Sequence, residues 1–241
     1  MIEAISYKTD PFEQRYIDLR KTEGRIYNDA EVLQLPSISK DHPHYTEWRV
    51  RKESAARLKK YFEKRLSLPK ILDVGCGNGW FSHHLAYIPG CDVTGIDVNF
   101  TELQQASRVF SHIPNLRFEY GSIDAGVVST NEFDFIVFAS CIQYFPSLSR
   151  IIEQAKQKLK PAGEIHILDS PFYKASEISV AKKRTAEYYK KIGFPEMTQH
   201  YFHHSLDELM FYHYRIMYSP SWVNRYFLNN KNPFCWIIIR K

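Results

Sequence analysis

With 241 residues, 44% hydrophobic and 24% charged, the chain has the composition of a soluble globular protein large enough for a core of its own. A net charge of +5 permits an anionic partner without requiring nucleic acid. The four cysteines, Cys76, Cys91, Cys141 and Cys235, form no C-x-x-C pair, which argues against a metal or disulfide framework. No apolar run approaches membrane-spanning length and the N-terminus lacks a signal-peptide core, so a cytoplasmic location and no membrane partner are expected.

Residues 1–45 are polar and irregular, with one helix expected where Asp10, Pro11 and Glu13 supply a cap, a first-turn residue and a capping-box acid. Apolar residues keep recurring in this stretch, so it is either a strap over core surface or a lid over a ligand; the lid is preferred. From Thr46 to Leu66 an amphipathic helix is expected, with Trp48, Ala55, Leu58, Phe62 and Leu66 on one face. Arg51, Lys52, Lys59, Lys60 and Lys64 read as its solvated side. Leu68-Pro69 ends it.

Ile71 to Val74 is a short apolar run, read as a buried parallel strand. Gly75, Gly77 and Gly79 follow at alternate positions, where glycine permits positive φ and close ligand approach. Phe81, Leu85 and Ile88 then recur at helical spacing until Pro89-Gly90. Strand, glycine loop and helix start define a nucleotide-sized site at a sheet edge. The dinucleotide fingerprint G-x-G-x-x-G fails, because Trp80 holds its sixth position and would obstruct a pyrophosphate. This disfavours a nicotinamide oxidoreductase.

Val93 to Asp97 is a second strand ending in an acid, eighteen residues after Gly79. That spacing suits a carboxylate accepting both ribose hydroxyls. The alternative is a cap for the helix beginning near Phe100; the glycine loop upstream favours the ribose. Leu103, Ala106 and Phe110 mark that helix, and Leu116 to Tyr120 a third strand. Phe133 to Phe138 is a nearly continuous apolar run, as in a central strand covered on both faces. Ser147 caps a helix with Leu148, Ile151, Ile152, Ala155 and Leu159 inward, and a fifth strand ends near Leu168. Asp169 to Tyr173 should border a substrate, since ligands sit outside strand carboxyl ends.

Residues 174–204 add to the minimal fold: a helix from Ser176 to Lys191 carrying Ile178, Ala181 and Tyr188, then the stretch His200-Tyr201-Phe202-His203-His204. No carboxylate spacing supports a metal there, so none is expected. Ser205 to Glu208 is a capping box. A strand at Tyr214 to Tyr218, a helix at Trp222 to Leu228 and a last strand at Phe234 to Arg240 complete the chain.

The D-x-G-x-G-x-G loop after a strand, together with Asp97 and the Ala139-Ser140-Cys141-Ile142-Gln143-Tyr144-Phe145 segment, resembles motifs of the class I S-adenosylmethionine-dependent methyltransferases. The turn Leu159-Lys160-Pro161-Ala162-Gly163 is similar too. These motifs span about 66–172; outside that range the likeness rests on element order. The resemblance implies a Rossmann-like α/β sandwich of three layers. Its sheet would be seven-stranded and mostly parallel, order 3-2-1-4-5-7-6, with the last strand antiparallel and helices on both faces.

It implies S-adenosylmethionine as cofactor, S-adenosylhomocysteine as product, and a cofactor-binding set. That set is Asp73, Gly75, Cys76, Gly77, Asn78, Gly79, Asp97, Val98, Ser122, Ile123, Asp124, Ala139 and Ser140. Many family members have Gly-Asp where this chain has Gly121-Ser122, so either Ser122 or Asp124 is open as the adenine contact. There is no (D/N)-P-P-(Y/F) and no Pro-Cys context for Cys141. Two regions are expected: residues 1–66, a strap or lid plus a helix on the core, and 67–241, the cofactor-binding core with its aromatic insertion at 174–204.

The expected activity is methyl transfer to a small or medium-sized metabolite. Tyr144, His203, His204 and His166 are candidate bases, His166 weakest because a mid-strand histidine usually belongs to the core. The rivals are an RNA methyltransferase and a non-catalytic cofactor-fold protein. Mild basicity and the lack of a separable RNA-binding domain argue against RNA, and nothing points to DNA. The acceptor pocket is expected to be walled by the N-terminal stretch and the aromatic insertion together, the alternative being that both segments only cover core surface.

Overall fold

A computed structural model describes residues 11–65, 68–220 and 232–241. Three helices come first: α1 (Pro11–Thr22), α2 (Asp29–Gln34) and α3 (Tyr45–Glu63). An alternating series follows: β1 (Lys70–Val74), α4 (Trp80–Ala86), β2 (Asp92–Asp97), α5 (Phe100–Val109) and β3 (Leu116–Tyr120). Then come β4 (Phe133–Ala139), α6 (Leu148–Lys158), β5 (Leu159–Leu168), β6 (Phe172–Tyr173) and α7 (Ile178–Lys191). The chain closes with β7 (His204–Ser205), β8 (Tyr214–Tyr218) and β9 (Trp236–Arg240).

Seven strands form one sheet in the order β3-β2-β1-β4-β5-β9-β8. Counting only these seven, the order is the expected 3-2-1-4-5-7-6. Every pairing from β3 to β5 is parallel, while β9 runs antiparallel to both β5 and β8. The short pair β6 and β7 joins Phe172 to His204 and Tyr173 to Ser205, closing the two ends of the insertion on each other.

Side-chain alternation separates the two faces of the sheet. Ile71, Val93, Phe135, Val137 and Ile238 face a core with Leu58 and Phe62 of α3, Phe81 and Leu85 of α4, and Leu103 and Ala106 of α5. Leu72, Val74, Ile136, Phe138 and Ile165 face the other core, closed by Leu148, Ile151, Ile152 and Ala155 of α6. Phe62 stacks on Phe135 with ring centroids 4.0 Å apart, so α3 belongs to the sandwich rather than to a separate unit.

Several expectations shift. The first helix forms, but Glu13 does not box its own start: its carboxylate accepts Thr101 N at 3.0 Å and so caps α5. Asp10 lies outside the described residues. A helix, α2, stands where irregular chain was expected, opened by a full capping box of Asn28 and Glu31. In α7 the buried tyrosine is Tyr189, while Tyr188 is exposed. The turn around Lys160 to Gly163 is a bulge within β5, where pairing jumps from Phe133–Leu159 to Phe135–Glu164. The helix expected at 222–228 and the 66–67 boundary lie outside the described residues.

Candidate active site

The site begins where β1 runs out. Gly75, Gly77 and Gly79 all take positive φ, +70°, +53° and +77°, and fold the chain back onto the end of β2. The Gly75 and Cys76 amides both reach Ile96 O, at 2.9 and 3.1 Å. The Gly77 amide donates to Asp97 Oδ2 at 2.7 Å, and the Asn99 amide to Oδ1 at 2.7 Å. Asp97 therefore braces the loop and the α5 approach. The side chain that caps α5 from within is Asn99, which accepts Glu102 N.

The glycines serve different needs. A Cβ on Gly75 would meet Cys141 Cβ at 2.8 Å, and one on Gly79 would meet Phe118 Cζ at 2.6 Å. Both are bare because protein packs against them. A Cβ on Gly77 would find nothing nearer than Glu102 Oε2 at 3.5 Å, so this is the glycine that faces open space.

Above the loop lies a cavity of about 520 Å³ at the carboxyl ends of β1 to β4. Asp73, Gly75, Cys76, Gly77, Asn78, Asp97, Val98, Ser122, Ile123, Ala139 and Ser140 all line it. Gly79 and Asp124 do not. Asp124 is turned outward, accepting Ser122 Oγ at 2.6 Å and Gln154 Nε2 at 2.9 Å.

One wall of the cavity is acidic. Asp73 is buried beneath the loop and accepts Ser82 Oγ at 2.6 Å. Burial, with Asp97 nearby, pushes its carboxyl up to about 7 despite that bond. Burial and then Asp97 likewise push Glu102 up to about 7. Burial also raises Asp97, against the pull of its amide donors. Closely placed carboxylates in low dielectric resist joint ionisation, and a cationic ligand relieves that.

The opposite wall comes from the N-terminal region. Tyr16 and Arg20 of α1, Arg25, Tyr27, and Trp48 and Arg51 of α3 line it. Arg51 was expected on a solvated face. It stands three residues after buried Trp48 and four before buried Ala55, which places it on the apolar side, and that spacing was the available signal. Its Nη2 bonds Glu47 at 2.7 Å and its guanidinium covers the Trp48 ring. Arg20 and Glu102 were missed as well; helix spacing alone does not show which loop a helix crosses.

Of the four candidate bases only Tyr144 lines the cavity. His204 Nε2 lies 3.2 and 3.0 Å from the Ile142 and Phe145 carbonyls, so it fastens the turn after β4. His203 Nε2 pairs with Thr185 Oγ1 at 2.9 Å. His166 is wholly buried, accepts Trp236 Nε1 on Nδ1 at 3.2 Å, and burial lowers its pKa, so it is a neutral core residue.

Residues 169–173 do not border the cavity. Asp169 turns to α3, accepting Ser54 Oγ at 2.7 Å, and Ser54 accepts Asn232 Nδ2 at 2.9 Å. The aromatic insertion does not line the cavity either. Tyr189 and Met197 pack with Leu19, Phe12 and Tyr16 from behind, so the insertion supports the N-terminal wall. Among the described residues no His, Cys, Asp or Glu group could hold a metal ion, and no helix is long and apolar enough to cross a membrane.

The residues present fit S-adenosylmethionine. Gly77 leaves room over the loop, the carboxylates suit a cation, and Asn99 Nδ2 is buried beside the cavity with no partner among the described residues. A family model described as a methyltransferase domain matches residues 67–210, more than half the chain, and the chain belongs to that family. It is 31% identical to a malonyl-[acyl-carrier protein] O-methyltransferase of Halalkalibacterium halodurans, over 39% of this chain and 36% of that one. It is 30% identical to a demethylmenaquinone methyltransferase of Chlorobaculum parvum, over 51% of this chain and 48% of that one. The chain thus spans less than half the length of these relatives. Among solved structures, the YcgJ protein of Bacillus subtilis superimposes with a TM-score of 0.58 at 14% identity, covering 78% of this chain and 96% of that one. That likeness concerns the fold.

Proposed function

We propose that the protein transfers a methyl group from S-adenosylmethionine to a small or medium-sized metabolite. The observation that carries this is the Asp97-braced glycine loop opening into a cavity with an acidic wall and an aromatic, basic wall. Family membership and the methyltransferase names of the curated relatives support it.

S-adenosylmethionine supplies, when bound, a methyl already activated on a sulfonium leaving group. The chain's own residues then hold the cofactor and exclude water. Asp97 and Asn99 accept and donate at the ribose hydroxyls, while Asp73 and Glu102 compensate the cofactor's positive charge. Arg51 would take the cofactor's carboxylate: among the described residues its ion pair is to Glu47, and its field reaches Glu102. Val98 and Ile123 offer apolar surface to the adenine, with Ser122 at its edge. The α1 helix roofs the cavity and excludes water while the acceptor is aligned.

Titration calorimetry with S-adenosylmethionine and then NAD tests the cofactor class. Micromolar binding of the first and none of the second is expected. Transfer of labelled methyl to a metabolite library tests turnover; binding of NAD alone would overturn the reading.

A further inference from the structure

The turn after β4 carries a hydroxyl donor that nothing among the described residues uses. Arg20 Nη2 donates to the Tyr144 hydroxyl oxygen at 2.9 Å. A guanidinium can only donate, so the phenol oxygen is the acceptor and its own proton must point elsewhere. No acceptor for that proton exists among the described residues. The ring is clamped edge-on by Tyr16 at 5.9 Å and Tyr201 at 6.0 Å, which fixes where the hydroxyl stands. Tyr144 lines the cavity beside Ser140, at the mouth of β4.

Arg20 is the charged group in contact with the Tyr144 hydroxyl. Arg20, Arg25 and Arg51 line the same wall and share two carboxylates, Glu23 and Glu47. Glu13 and Glu102 line the cavity as well, so the preference for an anion is local to the Arg20–Tyr144 pair. An ammonium group against that hydroxyl would face a proton donor backed by a cation, whereas an oxygen anion there would be held by a charge-assisted hydrogen-bond chain. No histidine reaches the cavity, so an acceptor that ionises in water on its own is favoured over one that needs a histidine base.

We propose that the Tyr144 hydroxyl, positioned by Arg20, anchors an oxygen anion on the methyl acceptor, so that the acceptor is a carboxylic acid, phenol or enol and not an amine. This rests on the methyl-transfer reading above. The acceptor leaves its proton in solvent and enters as the anion. Its oxygen lone pair forms the new O–C bond while the S–C bond to the methyl breaks, with that pair staying on sulfur. Anion and sulfonium become a neutral ester or ether and a neutral thioether. Tyr144 touches the acceptor; Arg20 is a positioning residue acting through it.

The test uses the full chain saturated with S-adenosylhomocysteine and titrated at pH 8 with matched probes. Benzoate is compared with benzamide and benzylamine, hexanoate with hexanamide and hexylamine, and 4-nitrophenolate with nitrobenzene, so that carboxylate and phenolate sources are separated. In at least one series the anion should bind tenfold or more tighter than its neutral and cationic counterparts. Tyr144→Phe, which keeps the ring packing, should erase most of that preference while S-adenosylhomocysteine affinity stays within twofold. Arg20→Gln should do the same and Arg20→Lys should restore part of it. Anions binding no tighter than their counterparts in every series, or Tyr144→Phe retaining the full preference, would overturn the proposal alone. Failure of the wild-type chain to bind S-adenosylhomocysteine would overturn the methyl-transfer reading and this one with it.

Discussion

The carboxylate of Asp97 accepts the backbone N–H of Gly77 at 2.7 Å, so the end of the second strand holds the middle of the glycine loop. Its other oxygen accepts Asn99 N, which leaves each oxygen one further lone pair for a ligand. Asp97→Ala would therefore lose the proposed ribose contact and leave two amides unpaired. Cofactor affinity should fall by about 1–3 kcal/mol, the usual cost of losing a charged hydrogen bond. Calorimetry on folded Asp97→Ala protein checks this; unchanged affinity would remove Asp97 from the site.

Asp73 and Glu102 make binding depend on pH. Burial raises both to about 7 in the free fold, so the folded chain holds protons that the unfolded chain releases above about pH 4. Their contribution to stability then declines as pH rises through that window. A cationic ligand needs the ionised forms, so its affinity moves the other way. S-adenosylmethionine should bind ~5–10-fold more weakly at pH 6 than at pH 8, about a tenfold loss per unit below the pKa of one coupled group. The neutral thioether S-adenosylhomocysteine should show a smaller change, and equal pH slopes for the two would count against the acidic wall.

Gly75 and Gly77 should fail differently. Alanine at 75 would add left-handed strain and drive its Cβ into Cys141, costing about 2–4 kcal/mol of stability. Alanine at 77 meets no close atom and should cost about 1–2 kcal/mol from backbone strain alone. Denaturant unfolding measures this ranking. Cofactor affinity should show the opposite one, with Gly77→Ala losing more binding per unit of stability lost.

Glu13 ties α1 to the start of α5 by accepting from Thr101. Glu13→Ala should lower stability by about 0.5–2 kcal/mol, the usual cost of a lost cap. With α1 acting as a lid, methyl transfer per folded molecule should fall further than cofactor affinity does. Activity that simply follows the folded fraction would make α1 a structural strap.

The sheet and the loop were legible because their signals are local. The apolar runs at 71–74 and 133–138, the glycines at 75, 77 and 79, and the acid at 97 each lie within a few residues of the turn they encode. Strand order followed from the resemblance and from short connections. What the sequence left undecided was every contact made across the fold. Arg51 read as solvated until α3 packed beside α4 and turned its flank to the cavity, and Glu13 read as a cap for its own helix until α1 met α5. The aromatic stretch 200–204 read as substrate wall, yet it stands behind α1, because the β6–β7 pairing turns the insertion back on itself. Periodicity reports which side of an element is buried; only the packed fold decides what lies against that side, and there the two walls of the cavity acquire their opposite charge.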